Sequence, residues 1–197
     1  MARERASATT ASEPTPGRAG VIVRPATPAD VERVLELRRA LLAEDAHSTD
    51  CVPPTRFTLT ADGATAAVAD CERDASPGDR RARSLVHAQL STDAQVTLLA
   101  YGGDTVVGVL RCMIARDNGL ERDGSYGYLA SAFVRPGHRR AGVLRALVSA
   151  ANAWCAARGV REVRLQCSMN NSGGNAAWRA LGFLPVAMIR RRLLPDT

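Results

Sequence analysis

Two hydrophobic periods run along this chain, and the places where one gives way to the other mark its elements. Val21-Ile-Val-Arg24 is a short β-branched run that predicts a strand. Thr27-Pro28-Ala29-Asp30 follows, a capping-box variant with proline at the first helical position. Val31, Val34, Leu35, Leu41 and Leu42 then fall largely on one helical face, with Glu32, Glu36 and Arg39 outside it. A helix is therefore expected to run to about Ala46. Gln95 to Tyr101 and Thr105 to Ala115 are β-rich runs joined through Gly102-Gly103-Asp104, which is a hairpin signal. A polar loop, Arg116 to Gly124, leads into an apolar strand from Tyr126 to Val134. In the next segment Leu144, Leu147, Val148, Ala151 and Cys155 recur at helical spacing, from about Gly142 to Arg158, and Gly159 supplies a left-handed cap. Glu162 to Ser168 predicts a further strand.

Other stretches carry weaker patterns. Residues 1–19 are rich in Ala, Ser, Thr, Pro and Gly without periodicity, so they bury too little apolar surface to offset their ordering entropy. A disordered tail is expected there, followed by one domain over residues 20–197. Cys51 to Ser91 is punctuated by Pro53-Pro54, Asp62-Gly63 and Ser76-Pro77-Gly78, with two weak helical stretches between them. Arg190-Arg191-Arg192 lies in a final predicted strand, where alternation sends neighbours to opposite faces and a solvated edge is expected.

Composition narrows the class. A chain of 197 residues, 46% of them hydrophobic, can enclose a single full core. The five cysteines are odd in number and form no C-x-x-C or Cys/His cluster, so reduced thiols and no metal site are expected. No run approaches a membrane span, and the Met-Ala-Arg-Glu-Arg start lacks the apolar core of a signal peptide, which points to a cytoplasmic protein with no membrane partner. Net charge is +6, and all 26 basic residues are arginine. They are scattered, and few aromatics interleave with them, so nucleic acid is disfavoured as a partner.

Candidate chemistry concentrates in Phe133-Val-Arg-Pro-Gly-His-Arg-Arg-Ala-Gly-Val-Leu-Arg-Ala-Leu-Val148. A strand ends at Arg135-Pro136, a basic turn follows, and a helix begins after Gly142. In such a turn, main-chain N–H groups, the Arg139 and Arg140 guanidiniums and the positive end of the helix dipole can converge on one phosphate group. The turn is followed by the strand Glu162 to Cys167 and then by Asn170-Asn-Ser-Gly-Gly-Asn175-Ala-Ala-Trp178-Arg-Ala-Leu-Gly182-Phe183.

These elements, in this order, resemble the GCN5-related N-acetyltransferase (GNAT) superfamily. The family's R-x-x-G-x-(G or A) turn falls on Arg139 to Leu144, and its N-x-x-A-x-x-x-Y-x-x-x-G-F element on Asn171 to Phe183. Val21 to Asp30 is similar to the family's first strand and helix cap. The resemblance implies an α/β (α+β) fold: a mixed, mostly antiparallel twisted sheet with flanking helices, whose parallel fourth and fifth strands splay apart to admit the cofactor. Tyr126 to Val134 and Glu162 to Ser168 would be those strands.

The resemblance further implies an N-acetyltransferase that takes acetyl-CoA as acyl donor and a small-molecule amine as acceptor. Main chain around Phe133, Val134 and Arg135 would pair with the pantetheine amides. The turn of Arg139, Arg140, Ala141, Gly142, Val143, Leu144 and Arg145 would hold the pyrophosphate, with Asn171, Asn175 and Trp178 also beside the cofactor. Leu144 departs from the family's small residue, so its side chain has to point away from the phosphates.

The family's usual proton carriers are missing. Ala130 and Ser131 stand where its strand-four carboxylate is expected, and Trp178 where its tyrosine is expected. Indole has no useful acidity, so packing is the expected role of Trp178. Ser131, by ordering a water, and His47, by its unperturbed pKa near neutrality, are the candidate catalytic groups. The resemblance also implies that the segment Glu44 to Asp50 borders the acceptor side of the groove, which makes Glu44 and Asp50 the candidate acceptor-binding carboxylates of an acidic mouth in a basic chain. Two alternatives stay open: an acyl-CoA-binding protein without transfer activity, and an N-acetyltransferase acting on proteins. A homodimer stays open as well.

Overall fold

The computed structural model describes residues 15–16, 20–46, 58–61, 64–67, 79–116 and 124–188, with side chains over 20–44, 80–116 and 124–188. Among these residues the strands are β1 (Thr15–Pro16), β2 (Val21–Pro25), β3 (Thr58–Ala61), β4 (Ala64–Ala67), β5 (Gln95–Gly102), β6 (Thr105–Arg116), β7 (Ser125–Val134) and β8 (Val163–Leu165). The helices are α1 (Val31–Ala46), α2 (Asp79–Leu90), α3 (Val143–Ala156) and α4 (Ser172–Ala180).

Six strands form one sheet in the order β1-β2-β5-β6-β7-β8, and β3 with β4 makes a separate hairpin. Every neighbouring pair in the large sheet is antiparallel except β7 with β8, which is parallel. This is the mixed, mostly antiparallel sheet that the family resemblance implies. Alternation along β5 sends Val96, Leu98 and Ala100 toward α3, where they join Leu110, Cys112, Leu129, Leu147, Val148, Ala151 and Cys155 in one buried cluster. Leu99, Val106, Val109 and Phe133 face the other way and pack with Val34, Leu35 and Leu37 of α1 and Val86 of α2. The sheet thus has α1 and α2 on one face and α3 on the other.

α3 approaches the sheet closely at Gly127. A Cβ built on Gly127 of β7 would sit 2.4 Å from Cys155 Sγ and 3.5 Å from Cys112 Sγ. The two thiols themselves are 3.4 Å apart, both buried. The hydrogen bond with Cys155, and then burial, raise the Cys112 thiol far above its usual range, so it packs as apolar volume.

The entry to α1 is held by charge. Asp30, 2% exposed, accepts from both Arg24 guanidinium nitrogens at 2.8 and 2.9 Å, from Arg33 at 3.0 Å and from the Thr27 N–H at 2.9 Å. The Arg24 hydrogen bonds, aided by Thr27, hold this carboxyl well below the ordinary carboxylate range.

Of the two weak helical stretches expected within Cys51 to Ser91, one becomes α2. The β3/β4 hairpin stands in place of the other, with Ala61 opposite Ala64 and Asp62-Gly63 as the two residues between them. Thr15–Pro16 adds a short edge strand to β2 inside the stretch read as a tail; residues 1–14 and 17–19 lie outside the described residues. Residues 184–188 form no strand, and the Arg190 to Arg192 cluster lies outside the described residues.

Candidate functional site

β7 and β8 pair only from Gly127 with Val163 to Leu129 with Leu165. Beyond that point β7 continues from Ala130 to Val134 without a β8 partner, so that edge of its backbone lies outside the β7/β8 ladder. The same stretch is irregular on its other side. Val109 faces Phe133 and Arg111 faces Ala130, so Ser131 and Ala132 together oppose the single residue Leu110. This is a β-bulge, and Ser131 sits in it at φ 51°. A non-glycine residue at positive φ costs on the order of 1 kcal/mol and persists only where the surroundings impose it. The sequence gives no sign of this bulge, because an apolar strand pattern reads straight through it.

The chain leaves β7 through a one-turn 3-10 segment, Pro136–His138, and enters α3 through Arg140 at φ 63° and Gly142 at φ 83°. Gly142 is the N-cap in a left-handed conformation that disfavours any residue with a Cβ. The first bond of α3 runs from the Ala146 N–H to the Gly142 carbonyl at 3.0 Å, so Val143, Leu144 and Arg145 N–H groups have no intrahelical acceptor. No acidic side chain occupies that first turn; instead Arg140 and Arg145 are exposed around it. Cations at the positive end of a helix are unfavourable unless an anion joins them. Val143 is buried, and Leu144 packs against the α3 cluster, so its side chain leans toward the core as a backbone phosphate site requires.

The two arginines nearer β7 take a different course. Arg139 Nε donates to the Val134 carbonyl at 3.0 Å, and its terminal nitrogen pairs with Glu44 of α1 at 2.6 Å. Its guanidinium also lies 6.0 Å from the centre of the Phe133 ring. Arg135 repeats the arrangement, with Nε on the Val106 carbonyl at 2.9 Å and a terminal nitrogen on Glu36 at 2.6 Å. The sequence offered Arg139 as a phosphate guanidinium and Glu44 as an acceptor carboxylate; here each has the other as its partner. The Arg139 N–H is also engaged, by the Pro136 carbonyl at 3.2 Å. Ala141 is exposed in the turn.

Beyond β8, Asn171 caps α4, its side-chain oxygen accepting from the Gly174 N–H at 2.7 Å. Asn175 donates to the Ser168 and Asn171 carbonyls at 2.7 and 2.8 Å, tying α4 to the end of the β8 segment. Both side chains therefore hold the start of α4. α4 stops at Gly182, φ 89°, where the Phe183 N–H reaches back to the Trp178 carbonyl at 3.0 Å. That 6→1 bond is a Schellman closure, and its hydrophobic contact is Trp178 on Phe183, ring centroids 5.4 Å apart at 78°. Trp178 is half-buried against the α3 cluster, which agrees with a packing role. His47 and Asp50 lie outside the described residues. Among the described residues no group of three His, Cys, Asp or Glu side chains could hold a metal ion, and no helix is long and apolar enough to cross a membrane.

The profile of the acetyltransferase (GNAT) family matches residues 64–183 of the chain. An aminoglycoside N(6′)-acetyltransferase type 1 of Acinetobacter haemolyticus is 30% identical over 100 residues, which span 50% of this chain and 68% of that protein. Among solved structures, a predicted acetyltransferase from Clostridium acetobutylicum with acetyl-CoA superposes with a TM-score of 0.62 at 12% identity, covering 88% of this chain and 96% of the other. An aminoglycoside antibiotic 6′-N-acetyltransferase from Acinetobacter baumannii gives 0.62 at 19% identity, covering 90% and 100%. A strand pair that parts beside an anion-ready helix start, in a chain matched by that profile over most of its length, makes this protein a member of the GNAT family of acetyltransferases.

Proposed function

We propose that the chain is an acetyl-CoA-dependent N-acetyltransferase that moves the acetyl group to an amine of a small molecule by direct transfer in a ternary complex. The observation that carries this reading is the junction of two features: the β7 edge over residues 130–134, outside the β7/β8 ladder, and the helix start at Gly142 with its unpaired N–H groups and flanking cations. A coenzyme A molecule presents amides at one end of that path and a pyrophosphate at the other. Val143, Leu144 and Arg145 would donate main-chain N–H groups to the pyrophosphate, and Arg140 and Arg145 would add charge. The edge from Ala130 to Val134 would pair with the amide arm at the groups left outside the ladder, the Val134 carbonyl being held by Arg139.

When bound, the donor supplies a thioester carbonyl, and the chain's task is to align a neutral amine with it and to stabilise charge on the carbonyl oxygen. The bulge at Ser131–Ala132 lies where the strands part, and its extra residue, outside the regular ladder, offers polar groups for that purpose. Ser131 can also order a water that receives the amine proton. With Ala130, Ser131 and Trp178 at the positions of the family's proton carriers, orientation has to supply most of the rate, and effective alignment is worth about 7–11 kcal/mol in favourable cases. An amino group of an aminoglycoside is the acceptor supported by the relative from Acinetobacter haemolyticus.

The same missing proton carriers favour a second reading, an acyl-CoA-binding protein without transfer activity. Incubation with acetyl-CoA and a panel of aminoglycosides, simple diamines and peptides, followed by free-thiol release, separates the two. Amine-dependent thiol release is the expected result, and its absence across the panel with CoA still bound would favour the second reading. Gly142→Val tests the cofactor site in both cases. It forces a β-branched residue into the left-handed region and should weaken CoA binding at least tenfold by calorimetry; unchanged affinity in a folded variant would remove the turn from the site.

A further inference from the structure

Arg139 is bound at both ends of its guanidinium. Its Nε is fixed on the Val134 carbonyl, and its terminal nitrogen reaches Glu44 at 2.6 Å. Four residues earlier Arg135 is fixed in the same manner on the Val106 carbonyl and on Glu36. Glu36 and Glu44 are eight positions apart in α1, which places them on one side of that helix two turns from each other. Two struts therefore join the strand-turn that leads to α3 with α1. Phe133, the β7 residue beside the bulge, packs in the α1 cluster, so α1 bounds the face of β7 opposite α3. Through Glu36 and Glu44, α1 also reaches the turn that leads from β7 to α3.

We propose that Arg139 is a positioning residue for the acceptor side of the site rather than a phosphate ligand: through Glu44 it fixes the C-terminal turns of α1 against the turn that receives the cofactor. This inference rests on the transferase reading for its kinetic consequence, but the strut itself can be tested without turnover. Nε anchoring matters here. An exposed ion pair between freely rotating side chains contributes little, whereas a guanidinium held by a backbone carbonyl has its fork already aimed.

The test compares Arg139→Gln, Glu44→Gln and the double variant with the parent in three measurements. Amide hydrogen exchange over residues 40–46 should quicken about three- to tenfold in either single variant, and the double should be no worse than a single, since both remove one interaction. Calorimetry with CoA should give dissociation constants within twofold of the parent for all three. Under saturating acetyl-CoA, the Michaelis constant for the amine should rise about three- to tenfold in each, with kcat changed less than twofold. For the parent, raising salt toward 1 M should reproduce part of that rise. A tenfold loss of CoA affinity in Arg139→Gln but not in Glu44→Gln would make Arg139 a phosphate ligand and overturn the proposal. So would unchanged exchange in both single variants. If no amine is turned over by the parent, it is the transferase reading that fails, and exchange with CoA calorimetry still decides the strut.

Discussion

Below the surface on the α3 side of the sheet, the buried cluster contains only apolar side chains and thiols: Val96, Leu98, Leu110, Cys112, Leu147, Val148, Ala151 and Cys155 among them. On the α1/α2 side the same depth of burial admits Asp30, Arg38, Gln89, Thr97 and Arg111. Thr97 and Arg111 are cross-strand partners in β5 and β6, on the face that also presents Leu99 and Val109 to the two helices. The contrast separates two tasks. α3 carries the turn at Gly142 and needs one fixed position, which dense apolar packing gives without directional demands. The opposite face packs on α1 and α2, and polar groups there cost stability but offer hydrogen-bonding chemistry.

That contrast can be broken or sharpened by substitution. The largest effect is expected at Leu147, fully buried in the α3 cluster, where Leu147→Ala should cost about 3–4 kcal/mol in denaturant unfolding. It should also lower CoA affinity, because the cavity loosens the helix that carries the turn. A cost under about 1 kcal/mol would mean that the α3 face is not the rigid platform described.

Asp30→Asn should come next, at about 2–3 kcal/mol near neutrality. It leaves Arg24 and Arg33 without a buried counter-charge, and the 38% exposure of Arg24 limits the loss. Because the folded carboxyl titrates below its unfolded value, the parent's advantage is complete above about pH 5. It should shrink below about pH 4 as the unfolded carboxyl takes up protons, and vanish only when pH falls through the lowered folded value. A constant difference between parent and variant down to pH 3 would contradict this assignment.

Gly127→Ala should cost about 1–2 kcal/mol through the 2.4 Å approach to Cys155 Sγ, and adding Cys155→Ala should recover part of it by removing the sulfur. Strict additivity of the two changes would place the strain elsewhere. Thr97→Val should matter least, within about 1 kcal/mol and toward greater stability, since the buried Thr97 hydroxyl has no hydrogen-bond partner among the described residues. A loss of about 2 kcal/mol would show that the polar face is a satisfied network.

Local chemistry made much of this fold readable in the sequence. Thr27-Pro28 announced α1, the β5/β6 hairpin followed from Gly102-Gly103-Asp104, and Gly142 and Gly159 bracketed α3 where the helical period began and ended. The parallel β7/β8 pair was expected from the family resemblance and is present. Three features were not legible, each for a tertiary reason. The bulge at Ser131 depends on the register between β6 and β7, which an apolar run does not encode. The destination of Arg139 depends on how near α1 comes to the turn, so the same residue type read as a phosphate ligand. The β3/β4 hairpin has short, Ala- and Thr-rich strands whose pattern does not separate strand from weak helix.

The Schellman closure at Gly182-Phe183 bears on what a signature can certify. Asn171, Gly174, Gly182 and Phe183 are all employed in starting or stopping α4, so a descendant that had abandoned acyl transfer would still be held to these letters by its need to fold. Their presence vouches for architecture. Arg140, Ala141 and Arg145 are exposed, and it is at such positions that a change of trade would leave its mark.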